Sequence, residues 1–167
     1  MRKVGAIAGS AAFLVIAPGV VAGLVPWWLT GWHAGSPYPL PARAAGALLA
    51  GSGAVVLLGA FAQFALGGAG TPAPVAPTER LVVRGLYRWV RNPMYLAVLG
   101  VIVGQWLWLS RPVLLAYAAG VAAAFAAFVR WYEQPTLTRR YGAQYEAYRS
   151  EVPGWWPRRP RDRRPGQ

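Results

Sequence analysis

The chain has 167 residues, 56% of them hydrophobic, yet it carries 17 Lys+Arg against 5 Asp+Glu, a formal charge of +12. Without Cys, and with His33, Asp162 and Lys3 the sole residues of their types, it excludes disulfide frameworks, thiolate nucleophiles and Cys-ligated zinc. The same scarcity excludes a Ser-His-Asp triad, a P-loop and a Schiff-base lysine, so chemistry must come from Arg, Glu, Tyr, Asn and backbone groups, or from a cofactor.

The first element is an apolar run from Val4 to Val25 behind Arg2-Lys3. It is longer than the roughly 7–15 residues of a signal-peptide core and is expected to stay as a span. A Pro/Gly-rich loop, Pro26 to Pro41, leads to a second apolar run from Ala44 to Leu66. Gly67 to Pro77 reads as a flexible linker; its Gly67-Gly68-Ala69-Gly70 run has no strand before it and is not a phosphate loop. The third run, Pro93 to Leu109, is short, and the connection Ser110-Arg111-Pro112 makes it an antiparallel hairpin with the fourth, Pro112 to Tyr132. A hydrocarbon core of ~30 Å takes about 20 helical residues. These runs therefore predict an all-α membrane protein of four transmembrane helices. Trp27, Trp28, Trp106, Trp108, Trp131, Trp155 and Trp156 fall near the span ends, where interfacial aromatics belong.

All basic residues except Arg43 and Arg111 fall on one side of these spans. Positive charge gathers on the cytoplasmic side, so both termini are expected inside the cell membrane. The charge of +12 then reflects topology and attraction to anionic lipid heads rather than nucleic acid. Small residues at Ala116, Gly120 and Ala124 on the fourth helix, and at Ala47 and Gly51 on the second, predict close helix packing.

Two stretches outside the spans carry chemistry. In the first, Glu79 to Tyr95, Asn92 before Pro93 is a natural helix start, with the Asn side chain expected to cap the orphan amides. Arg91, and Arg88 beside it, would add a site for a carboxylate or phosphate. The plain alternative is that Arg80, Arg84, Arg88 and Arg91 form the solvated stripe of an interfacial helix. In the second, Glu133 closes the fourth span, and a carboxylate at that depth is paired or functional. Arg130, one turn earlier, is its simplest ion-pair partner. Leu137, Tyr141, Tyr145 and Tyr148 follow at helical spacing and predict an amphipathic cytoplasmic C-terminal helix, ended by Val152-Pro-Gly-Trp-Trp-Pro157. A domain of 1–157 with its core at 79–157, and a disordered basic tail at 158–167, complete the expected organisation.

Gly85-Leu-Tyr87 with Arg91-Asn-Pro-Met-Tyr95, then Glu133, Leu137, Tyr141-Gly142, Tyr145, Tyr148 and Val152-Pro153, resemble the isoprenylcysteine carboxyl methyltransferase and phospholipid methyltransferase group. Asn92 stands where that group often has His, and Gln134 where it often has a second Glu. The resemblance implies an integral-membrane enzyme using S-adenosylmethionine, with no metal. It implies that Leu81 and Val82 line the nucleoside pocket, that Tyr87 contacts the cofactor, and that Asn92, Pro93, Met94 and Tyr95 wall it, with the Arg91 anion site placed to take the cofactor's carboxylate. Glu133 would bind the cofactor's cationic part, and Arg130 would sit near a lipophilic acceptor: an isoprenylcysteine-type carboxylate, a phospholipid amine or a small thiol. The rival class is a non-catalytic scaffold or small transporter, although no span holds an acid in its interior, where a proton-coupled transporter needs one.

Overall fold

The computed structural model describes residues 16–67, 81 and 83–159, and these are helical with no strand among them. Helix α1 runs Ile16–Thr30, α2 Leu40–Gly67, α3 Pro93–Leu109 and α4 Pro112–Phe128. The last continues through a π turn, Val129–Glu133, into α5, Gln134–Tyr141; α6 is Ala143–Glu151. Two helical stretches, Leu40–Ala62 and Pro112–Tyr141, are long and apolar enough to cross a membrane, and Ile16–Thr30 and Pro93–Leu109 are shorter apolar helices.

The third run matches its expected bounds to the residue, because Pro93 opens α3 and Ser110 closes it in the left-handed region at φ 54°. The first helix runs past its expected end at Val25 to Thr30, while residues 4–15 of that expected span lie outside the described residues. Pro26 does not stop it. Within α1 the turn Val20–Leu24 is a π turn, a feature of helices whose regular bonding is interrupted. Pro26 has no N–H to give the carbonyl four residues back, which belongs to Ala22. Gln105 Nε2 from α3 donates to that carbonyl at 2.7 Å, and Tyr117 Oη from α4 donates to the Val21 carbonyl at 2.9 Å. Two side chains thus replace what the proline removes and fasten α1 to the hairpin. Gln105→Leu is expected to lower stability by about 1–3 kcal/mol, since it leaves a buried carbonyl unpaired. Pro26→Ala in that background should recover part of the loss in thermal unfolding of the detergent-purified protein.

Neighbouring helices alternate in direction. Gly46 of α2 faces Gly104 and Trp108 of α3, whereas Gly53 faces Ala97 and Val101, so the two run antiparallel. A Cβ on Gly104 would lie 2.5 Å from Ala50 N, and one on Gly46 would lie 2.6 Å from Trp108 N. Here the backbones touch. The expected small-residue faces are displaced: Gly51 and Gly120 have nothing within 4 Å of a built Cβ, and Ala116 and Ala124 are exposed. Every fourth position is small on several faces of these helices, and the face that packs is the one also carrying the buried Ala97 and Ile102. The apolar core gathers Ala22, Leu57, Phe61, Val98, Ile102 and Ala118 from all four helices.

Three local expectations change. Of the Arg80 to Arg91 stretch, Arg80 lies outside the described residues, and 83–91 are not an interfacial helix but irregular chain with one 3-10 turn, Gly85–Arg88, entered through Gly85 at φ 56°. The single amphipathic helix after the fourth span is two, α5 and α6, broken at Gly142 with φ 50° and ψ −129°. Its aromatic face nevertheless folds inward, with Tyr145, Tyr148 and Val152 buried against Leu81, Leu137 and Tyr141. Finally, the Asn92 side chain makes no capping bond; the helix start is set by Pro93 and by the Asn92 carbonyl, which accepts from Leu96 N at 3.2 Å. The Gly68 to Pro77 linker and the tail past Arg159 lie outside the described residues.

Candidate functional site

The alternation of directions brings the start of α3 and the end of α4 to the same end of the bundle, with α5 and α6 folded beside them. Glu133 closes the π turn, and Pro135 follows two residues later, as Pro26 follows the π turn of α1. The wider turn swings Glu133 away from Arg130, and no ion pair forms between them. Tyr95, in the first turn of α3, instead donates its Oη to Glu133 Oε2 at 2.8 Å. Glu133 is half-buried and has no arginine within ion-pair distance among the described residues.

Arg91 sits opposite. Its Nη1 donates to Tyr145 Oη at 3.4 Å, and its buried Nε has no hydrogen-bond partner. Its charge and that of Glu133 both reach Tyr145 and Tyr148, so one basic and one acidic group share this mouth without pairing. Such unpaired charge at partial burial costs stability and is found where a ligand supplies the partner.

Tyrosines form the remaining wall. Tyr148 Oη donates to the Tyr87 carbonyl at 2.7 Å, tying α6 to the 3-10 turn. Burial, with the Glu133 charge second, pushes the Tyr87 phenol well above its ordinary value. Burial also raises Tyr148 and Tyr145, with Arg91 pulling both back in part. All three phenols therefore stay protonated at neutral pH and do not act as bases.

Of the residues singled out in the sequence, Tyr87, Arg91, Tyr95 and Glu133 come together here. Asn92 is buried beside them, 6% exposed, and Pro93 is buried behind it. Leu81 packs on the Tyr145 and Tyr148 cluster, whereas Met94 turns to the apolar core. Arg130 is exposed, outside these contacts, and Val82 lies outside the described residues. Among the described residues no group of three His, Cys, Asp or Glu could hold a metal.

The structure adds residues not singled out as site residues. Tyr145 and Tyr148 were legible as the aromatic face of a helix and as letters of the family resemblance, not as residues with a place in the site. Phe125 of α4 stacks obliquely on Tyr95 with ring centroids 4.7 Å apart, and Trp155 approaches Tyr95 at 6.4 Å. Phe125 lies eight residues ahead of Glu133 inside an apolar run, with nothing local to mark it.

Comparison with known proteins gives one family. A sequence model described as phospholipid methyltransferase matches residues 41–144, more than half of the chain, from the first turn of α2 into α6. No curated protein and no solved structure matches.

Proposed function

This chain belongs to the phospholipid methyltransferase family, and on that premise we propose that it transfers a methyl group from S-adenosylmethionine to a lipophilic acceptor at the mouth formed by Tyr87, Arg91, Tyr95 and Glu133. The observation that carries this reading is the unpaired couple itself. Among the described residues Arg91 and Glu133 form no ion pair, the first donating to Tyr145 and the second accepting from Tyr95, and this suits a ligand bearing both charges. The donor's carboxylate fits Arg91, its cationic amine and sulfonium fit Glu133, and its adenine fits the apolar faces of Tyr87, Tyr145 and Leu81.

In the same reading α1 to α4 are four spans, with the mouth and both termini on the cytoplasmic side where the basic residues gather. The domain is 1–157, its cofactor-binding core 79–157, and 158–167 a basic tail. Asn92, Pro93 and Leu81 complete the pocket, and Arg130 stands on the side open to the acceptor.

Held between Arg91 and Glu133, S-adenosylmethionine would supply an electrophilic sulfonium methyl, the C–S electron pair going to sulfur as the acceptor's lone pair took the carbon. The chain's task is alignment and exclusion of water. Glu133 fixes the cationic end, Tyr95 keeps that carboxylate in one orientation, and the protonated tyrosines close the wall without competing for the methyl. In this reading Glu133 is engaged by the cationic end of the donor and does not serve as a base, so an amine acceptor must arrive neutral, whereas a carboxylate arrives ready. The family description supports a phospholipid amine among these acceptors.

Incubating membranes that contain the protein with methyl-labelled donor tests this. Label is expected in the lipid extract, and label in lipid-modified protein would keep methyl transfer to a lipophilic acceptor but replace the phospholipid; label confined to water-soluble molecules, or none above control membranes, overturns it. Arg91→Ala is expected to weaken donor binding by about 1.5–3 kcal/mol, the scale of a hydrogen bond to a charged group. The loss should shrink for the decarboxylated donor, which has no carboxylate for Arg91 to hold, when both are measured by calorimetry.

A further inference from the structure

Beyond α6 the chain turns back across the mouth and is pinned twice. Arg91 N donates to the Pro153 carbonyl and Arg158 N to the Trp89 carbonyl, each at 2.9 Å. The anchors are two residues apart on one segment, Trp89 and Arg91, but five apart on the other, Pro153 and Arg158. The surplus, Gly154 to Pro157, must bow outward as an arch. Its foot is pressed against the site: a Cβ on Gly154 would lie 3.2 Å from Arg91 Nη2 and 3.6 Å from Asn92 Nδ2.

The arch sends its two tryptophans opposite ways. Trp156 is 82% exposed, while Trp155 is partly buried, its ring 6.4 Å from that of Tyr95 with the planes 39° apart. Tyr95 also packs on Phe125, and its hydroxyl holds the Glu133 carboxylate. Three rings and one carboxylate therefore bound a single corner. The negative faces of aromatic rings attract a cation, tryptophan most of all, and more strongly where water is excluded.

We propose that Trp155 is a donor-binding residue, carried to the site by the arch, whose ring recognises the positive charge of the sulfonium and does not hold the neutral thioether left after transfer. This rests on the reading of the mouth as a methyl-donor site and adds a residue that distinguishes donor from spent donor. Loss of charge on methyl transfer weakens the contact and so favours release of the product.

The test is calorimetric titration of the full-length protein in lipid nanodiscs with S-adenosylmethionine and, separately, S-adenosylhomocysteine. Trp155→Leu keeps apolar bulk without a ring, and it is expected to weaken S-adenosylmethionine about five- to tenfold and S-adenosylhomocysteine less than about twofold. Trp155→Phe should recover most of the difference, and Trp156→Leu should leave both affinities unchanged. Equal weakening of the two ligands by Trp155→Leu, or none, overturns the inference alone. Wild-type protein that binds neither ligand overturns the donor reading of the mouth and the inference with it.

Discussion

Leucine in place of Gly104 is expected to separate α3 from α2 and to cost about 3 kcal/mol or more, whereas leucine in place of Gly120 is expected to cost nothing measurable. The contrast follows from what each new side chain meets. At Gly104 a Cβ alone would lie 2.5 Å from Ala50 N, 2.6 Å from the Gly46 carbonyl and 2.8 Å from Ala50 Cα. All three are backbone atoms of a continuous helix, which cannot turn aside as a side chain does. At Gly120 nothing lies within 4 Å, and a helix interior favours leucine over glycine by about 0.8 kcal/mol. With α2 and α3 as the proposed spans, lipid offers no hydrophobic gain to compensate for lost contact, because a separated helix would face hydrocarbon on either side. Unfolding of both variants in mixed micelles by titration with denaturing detergent reads the difference. A Gly104→Leu protein as stable as the unaltered one would mean that these helices do not meet along this face.

How far that face was legible shows where sequence reasoning ends. The positions of the helices follow from apolar length and from punctuation: Pro93 and Pro112 open α3 and α4, and the Ser110-Arg111 turn between them leaves only a hairpin. Which side of a helix packs was not legible, because small residues recur on more than one side of α2 and α4, and a membrane helix has no polar face to mark the outside. Lys3, the arginines and the tryptophans mark ends, not faces. The π turns were equally hidden. Each precedes a proline by two residues, but a proline in an apolar run equally reads as a kink or a stop, and Pro26 was read as the stop.

The candidate site was legible in the letters that carry charge or open a helix. Arg91, Tyr95 and Glu133 stand out because each is polar beside an apolar span. Their partners do not. Phe125 and Leu81 are ordinary apolar residues, and Trp155 sits in a short Pro/Gly segment whose return over Trp89 and Arg91 depends on two backbone hydrogen bonds. Backbone pairing between segments more than sixty residues apart leaves no trace in residue type. The expected Arg130 to Glu133 pair failed for a related reason: three-residue spacing places two side chains on one face only while the helix keeps its regular turn.

Removing the Glu133 charge is expected to weaken donor binding roughly 100-fold while leaving the protein at least as stable as before, and this pairing of outcomes is what separates a functional acid from a structural one. Glu133 is half-buried, accepts one hydrogen bond from Tyr95 Oη at 2.8 Å and has no ion-pair partner among the described residues. A structural acid would have one, since a lone buried charge costs more than its hydrogen bonds return. Gln at this position keeps the size and the acceptor for Tyr95 but drops the charge. In the absence of ligand its melting temperature should therefore equal or exceed that of the unaltered protein. Affinity for S-adenosylmethionine should fall by about 3 kcal/mol, roughly 100-fold, the scale on which one partner of a buried, hydrogen-bonded charge pair is lost. Tyr95→Phe should give a smaller loss of about 1 kcal/mol, because it removes the orienting bond and keeps the carboxylate. Combining the two changes should cost less than their sum, as expected of groups that act on the ligand through one contact. A Glu133→Gln protein that melts lower and still binds the donor would assign the carboxylate to the fold instead.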